Sequence, residues 1–149
     1  MEISVSVEIS NTTEEVWKVI TDFKNSPNYI KSIVNVEIIE QPKDTLVGFK
    51  WKETRVMFGK EATEIMWITD SVENEYYQTR AESHGSIYIS KLSIEHIEQI
   101  TKLTMSFSSE ATTFIVKLIS LLMGFVIKGS MKKAINKDLT DIKTYLESN

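Results

Sequence analysis

Between Val34 and Phe107 apolar and polar residues alternate in one segment after another, and short polar stretches close each segment. Period two sends successive side chains to opposite faces, so each segment predicts a strand with one face toward a core. Val34, Val36 and Ile38 begin the series, which breaks at Gln41-Pro42-Lys43-Asp44. Phe49 to Met57 follows and turns at Phe58-Gly59-Lys60; Ala62 to Thr69 is closed by Asp70 to Glu75. Tyr76 to Ser83 turns at His84-Gly85-Ser86, and two further strands carry Tyr88, Ser90, Leu92, Ile94 and then Leu103, Met105, Phe107. Strands joined by tight turns predict an antiparallel meander. A meander with one apolar face needs a cover, and this need limits what the rest of the chain can do.

Ahead of the meander, Ile3, Val5, Val7 and Ile9 alternate with polar residues and predict another strand. Asn11-Thr12-Thr13 supplies caps, and Thr12 with Glu15 has capping-box spacing. Val16, Val19, Ile20 and Phe23 then recur at helical spacing, and Ser26-Pro27 opens a second short helix whose buried side is Tyr29, Ile30 and Ile33. Behind the meander lies one long helix, about Thr113 to Glu147. Its second half is amphipathic, with Met131, Ile135, Leu139, Ile142 and Leu146 on one face, whereas Phe114 to Ile127 is apolar nearly all round. Gly124 and Gly129 inside it predict a kink or a close approach. No linker or repeat divides residues 1–149, so the expectation is one α+β domain. A sheet curls as it twists, so a helix laid across it leaves a gap that becomes a pocket where side chains do not fill it.

Composition narrows the function. A hydrophobic fraction of 42% with 26% charged residues is ordinary for a folded domain. The net charge of −4 argues against nucleic acid as a partner, and Lys128, Lys132, Lys133 and Lys137 read as the wet side of a helix. The absence of cysteine removes thiolate chemistry and suits the reducing cytoplasm, and Met1 to Ser10 lacks the pattern of a secretory signal. Phe114 to Ile127 is shorter than the ~20 residues that span a bilayer and contains Lys117. Its destinations are burial in the fold, a homodimer interface, or peripheral contact with a membrane.

The segment Thr13-Glu14-Glu15-Val16-Trp17 after the first strand, Asp22-Phe23, Ser26-Pro27, and Val47-Gly48-Phe49-Lys50-Trp51-Lys52-Glu53-Thr54-Arg55 occur in a telling order. With the element sequence, they resemble the START / Bet v 1-like (SRPBCC) superfamily, and more narrowly its bacterial polyketide cyclase/dehydrase-type ligand-binding proteins. The resemblance covers nearly the whole chain. It implies a helix-grip fold, a seven-stranded curved antiparallel sheet wrapped around a long C-terminal helix, with two short helices after the first strand. It also implies a hydrophobic ligand (sterol, lipid, polyketide or hormone) between sheet and helix, and no shared catalytic triad to carry over.

Strand phase supplies the candidate site. Phe49, Trp51, Glu53, Arg55 and Met57 share one face, so an inward Trp51 brings Glu53 and Arg55 inward with it. Buried, that pair would orient a ligand carbonyl or hydroxyl; near a strand end, it would pair in solvent. Met105 and Phe107, with Leu118, Leu121, Phe125 and Met131 of the helix, are candidates for the apolar lining, or for simple core. Tyr77, Arg80 and Tyr88 are candidate polar contacts of ambiguous phase. Glu64 and Asp70 read as solvated. His84 and His96 lack metal-ligand spacing, and no phosphate loop, serine elbow or dinucleotide fingerprint is present, so no metal or cofactor is expected. Three functions fit: binding or transport of a small hydrophobic ligand; a cyclase, aromatase or dehydratase using polar cavity residues; and lipid or quinone delivery at a membrane surface.

Overall fold

The computed structural model describes residues 1–148. Strand β1 (Glu2–Ile9) buries Ile3, Val5 and Ile9, the phase its alternation predicts. Helix α1 (Thr13–Ile20) follows, and Thr12 Oγ1 accepts from the Glu15 amide at 3.2 Å. Only half of the capping box forms, because Asn11 Oδ1 takes the Thr12 amide at 2.8 Å. The expected second helix is a single 3-10 turn, Ser26–Asn28. Ser26 does not cap it; its hydroxyl donates back to the Phe23 carbonyl. Buried Tyr29 secures this turn, its hydroxyl facing the carbonyls of Val19 and Asp22.

The remaining strands are β2 (Ile33–Glu40), β3 (Lys50–Met57), β4 (Lys60–Val72), β5 (Tyr76–Ser83), β6 (Ser86–Ile97) and β7 (Ile100–Ala111). They form one antiparallel sheet in the order β1-β7-β6-β5-β4-β3-β2. The first strand therefore joins the far end of the meander: β1 lies beside β7, with Val5 opposite Met105 and Val7 opposite Leu103. An irregularity between Ile33 and Asn35 explains why Val34 is exposed despite its apolar character. Phe58-Gly59 and His84-Gly85 connect their strands as two-residue turns with φ positive at both positions. That combination matches the right-handed twist of the flanking strands.

Helix α2 (Phe114–Glu147) behaves as two different objects. Its C-terminal half buries Ile135, Leu139, Ile142 and Leu146 against the core formed by β1, β6, β7 and α1. The amide of Ser10 donates to Glu147 Oε2 at 2.9 Å and Asn11 Nδ2 to the Leu146 carbonyl at 3.1 Å, tying the helix end to the end of β1. The Ser10 amide, with Lys143 nearby, holds the Glu147 carboxyl below its ordinary range. The N-terminal half does not cover the sheet as expected. No residue of its most apolar 18-residue window is buried, and Phe125 is 93% exposed. Gly124 and Gly129 have no neighbour within 4 Å of an added Cβ, so the close approach expected there is absent.

By length and composition α2 is apolar enough to cross a membrane. Both ends of its apolar stretch are nevertheless fastened to the sheet. At the near end the Thr112 amide and hydroxyl both donate to the Gly85 carbonyl, at 2.7 and 2.9 Å. At the far end stands the packed stripe that begins with Ile135.

Gly85 is therefore constrained twice, by its φ of +75° and by the start of α2, since an added Cβ would lie 2.9 Å from Val116 Cγ2. Gly59 has a similar φ of +78° with open space around it. Gly59→Ala should lower stability by about 1 kcal/mol through backbone strain alone. Gly85→Ala should cost about 1 kcal/mol more, because Val116 and Thr113 must move. Urea unfolding of the two variants side by side measures the difference, and equal losses would show that the start of α2 is not seated on this turn.

Candidate functional site

Because only half of α2 is seated, the space beneath the rest is a cavity of about 1000 Å³ between helix and sheet. Its sheet wall consists of the inward residues of β3 to β7, among them Met57, Met66, Ala81, Tyr88, Leu92, Met105 and Phe107. Tyr88 lies directly opposite buried Ala81 and stacks on Phe107 with ring centroids 5.9 Å apart, which settles its phase. An aromatic cluster stands at one side: Phe23 stacks on Trp51 at 4.4 Å and meets Phe49 at 4.9 Å and Tyr77 edge-on at 5.4 Å. The helix presents one row to this space, including Lys117, Ser120, Gly124, Lys128 and Met131, spaced three or four apart.

A bonded cluster of charged side chains stands in the wall, which also carries hydroxyls at Thr79, Ser86, Ser90 and Ser109. Arg55 is central, with Nε 3.0 Å from Glu53 Oε2 and Nη1 2.8 Å from Asp138 Oδ2, so it bridges β3 to the seated half of α2. The Trp51 indole donates to Glu53 Oε1 at 3.3 Å. Burial works against the charge on Arg55, but Glu53 and Asp138 outweigh it and raise its pKa. Burial also pushes the Tyr77 hydroxyl well above its usual range, helped by the charge of Glu53, so Tyr77 stays neutral. Asp138 Oδ1 has no hydrogen-bond partner; among the described residues it is the one such buried side-chain atom.

Of the sequence candidates, Trp51, Glu53, Arg55, Met57, Tyr77, Tyr88, Met105, Phe107, Leu121, Phe125 and Met131 all border this cavity. Leu121 and Phe125 stand at its open mouth, largely in solvent, rather than inside. Leu118 does not border it. Arg80 does not border the cavity either and pairs with Glu82 at 3.0 Å. Glu64, expected in solvent, borders the cavity instead, because it sits directly opposite Glu53 across β3 and β4. His84 is at the rim, while His96 is exposed on β6 opposite Thr101. Sequence reasoning missed Asp138. The signal was available: Asp138 falls three residues after Ile135 and four before Ile142, on the apolar stripe itself.

Removing Arg55 would leave two carboxylates facing each other in a mostly buried place. Arg55→Leu should therefore lower stability by about 2–3 kcal/mol, discounted from the full value for a buried pair because Arg55 keeps some exposure. Adding Glu53→Gln and Asp138→Asn to that variant should recover most of the loss. Urea midpoints of the single and triple variants check this, and a triple variant no better than the single would remove the charge argument.

The geometry agrees with what the chain is similar to. The sequence family described as "Polyketide cyclase / dehydrase and lipid transport" matches residues 1–147. No curated protein matches in sequence. Among solved structures, a protein from Thermus thermophilus superposes with a TM-score of 0.82 at 14% identity, over 99% of this chain and 98% of that one. A START superfamily protein from Mycobacterium smegmatis gives 0.69 at 17% identity, over 95% and 98%. Ara h 8.0201 gives 0.74 at 18% identity, over 100% and 99%. At such identities these structures bear on the fold, and the fold is the helix-grip arrangement expected from the sequence. With a family match over nearly its whole length, this chain belongs to the family described as polyketide cyclase / dehydrase and lipid transport.

Proposed function

We propose that this protein binds, and carries, a small hydrophobic molecule in the cavity between its sheet and α2. One observation carries the reading: a space of about 1000 Å³ whose wall is rich in methionines, aromatics and aliphatics, with the Glu53–Arg55–Asp138 cluster and the hydroxyls of Thr79, Ser86, Ser90 and Ser109 set among them. That volume is at the upper end for ligand sites, and few, fixed polar groups in an apolar cavity are what orient a ligand. Turnover is less well supported than binding. Glu53 and Arg55 are engaged with each other and with Trp51 and Asp138, and neither histidine is bonded to this cluster. The lack of cysteine suits the reducing cytoplasm, where we place the protein. Native mass spectrometry of protein purified gently from its own cells should find a stoichiometric adduct that denaturation releases. In vitro, N-phenylnaphthylamine should brighten on binding, and Ser90→Trp/Met105→Trp should weaken it at least about tenfold by occupying the cavity. The absence of both an adduct and dye binding would overturn the reading.

A second observation supports delivery at a lipid surface. Residues 114–127 are apolar on nearly every side and largely exposed, and they border the mouth of the cavity. The outward sides of such a helix suit the boundary between headgroups and acyl chains. Lys117, Lys128, Lys132 and Lys133 flank or punctuate the stretch and suit anionic headgroups. The protein should float with vesicles containing phosphatidylglycerol, and Leu121→Asp/Phe125→Asp should abolish flotation while leaving the fold intact. A protein that stays at the bottom of the gradient and sediments as a dimer would assign the stretch to self-association instead.

A further inference from the structure

Phe58 is strained and exposed, and the core gains nothing from it. It is the first residue of the two-residue turn between β3 and β4, with φ at +54°. Asparagine and glycine take that conformation readily, whereas a bulky aromatic residue is strained in it. The side chain is 65% exposed and takes no part in the hydrophobic core. An aromatic held in this way points to a role outside the fold. Its position indicates which role: Phe58 borders the cavity mouth together with Leu121 and Phe125 of α2.

Antiparallel pairing puts the Phe58 turn, the His84 turn and the start of α2 at one end of the sheet, and the turns at Asn74 and Glu98 at the other. The far turns carry Glu73, Glu75 and Glu98, all exposed. At the near end Lys60 follows the Phe58 turn, and residues 111–137, which lead away from this end, hold five lysines and no carboxylate in a chain of net charge −4. The carboxylates nearest the two near turns and the start of α2 are Glu61, Glu82 and Glu110. They alternate with cavity-lining Ala62, Ala81 and Ala111, and so leave from the opposite face of the sheet.

We infer that Phe58 is a second membrane anchor: the β3–β4 turn enters an anionic bilayer beside the first half of α2, and the cavity mouth between them opens into the lipid. This rests on the reading of 114–127 as a lipid-contacting stretch and adds a second element and an orientation. A single interfacial helix is free to roll about its axis, whereas two separate anchors fix which side of the molecule faces the acyl chains. A hydrophobic ligand then passes between bilayer and cavity without crossing water.

Because the chain has no cysteine, single labels can report on chosen positions. Phe58→Cys, Phe125→Cys and Gln99→Cys, each carrying the fluorophore NBD, are mixed with vesicles of phosphatidylglycerol and brominated phosphatidylcholine. Labels at 58 and 125 should shift to the blue and be quenched by the bromines, and the label at 99, in the β6–β7 turn, should do neither. Phe58→Asn, which suits the turn, should raise the urea midpoint yet weaken vesicle binding at least about fivefold. A merely structural residue would not move the two in opposite directions. Entry of the label at 125 without that at 58, or unchanged vesicle affinity in Phe58→Asn, would overturn the second anchor and leave the lipid reading of α2 standing. Entry of the label at 99 as well would overturn the orientation. Should Phe58→Asn fail to fold, the labels decide alone. A protein that neither floats nor shifts any label would remove the lipid reading and this inference together. So would labels at 58 and 125 that shift with protein concentration alone while the protein sediments as a dimer.

Discussion

One helix has to cover a seven-stranded sheet, and it is held by half its length. Ile135, Leu139, Ile142 and Leu146 are each nearly sealed from water, worth about 2 kcal/mol apiece by apolar burial. Ser10, Asn11 and Glu147 then lock the helix end to β1. The other half draws nothing from the core. It depends on its own backbone bonds, the Thr113 cap and the seat on Gly85. Gly124 and Gly129 weaken it by about 1 kcal/mol each relative to alanine. Stability is thus graded along α2, and the weakly held half is the part over the cavity.

The Glu53–Arg55–Asp138 cluster has to be understood against that background. An ion-pair network in an apolar wall is seldom more stable than well-packed hydrophobic residues of similar volume. Its contribution here is positional. Arg55 reaches from β3 to α2 and holds helix and sheet in one relation just where the packed stripe gives way to the open half. Apolar contacts alone would let the helix roll, because methionine and leucine surfaces tolerate many registers. A planar guanidinium engaging two carboxylates at 3.0 and 2.8 Å does not.

Strand phase made most of the sheet wall legible beforehand. Once Trp51 is inward, Glu53, Arg55 and Met57 must follow, and they do. The ends and turns were also readable, since Phe58-Gly59 and His84-Gly85 take the positive φ that such turns need. Helical periodicity carried less information. It separates one face from another, but in an all-apolar stretch it cannot show which side meets the sheet, hence the misplaced Leu118. Nor can it show that nothing covers such a stretch, because core, dimer interface and membrane all select the same residues. Asp138 was missed for a related reason: a carboxylate within an apolar stripe reads as an interruption until its partner, 83 positions away, is known. Glu64 could be placed only through the β3–β4 register, which pairs it with Glu53.

The two halves of α2 are linked by a single row of side chains. From Lys117 through Ser120, Gly124, Lys128 and Met131, the row facing the sheet continues to Ile135 and Asp138. It begins at the exposed mouth, runs over the cavity and ends at the Glu53–Arg55–Asp138 cluster. A molecule lying along this row would meet the largely apolar sheet wall on one side and, on the other, a helix face that carries Lys117, Ser120 and Lys128 before Met131. It would also supply the underside of the open half with the packing that the protein core withholds. In the ligand-binding reading the bound molecule is therefore a missing piece of core, and whatever fills the space stabilises the folded chain by mass action.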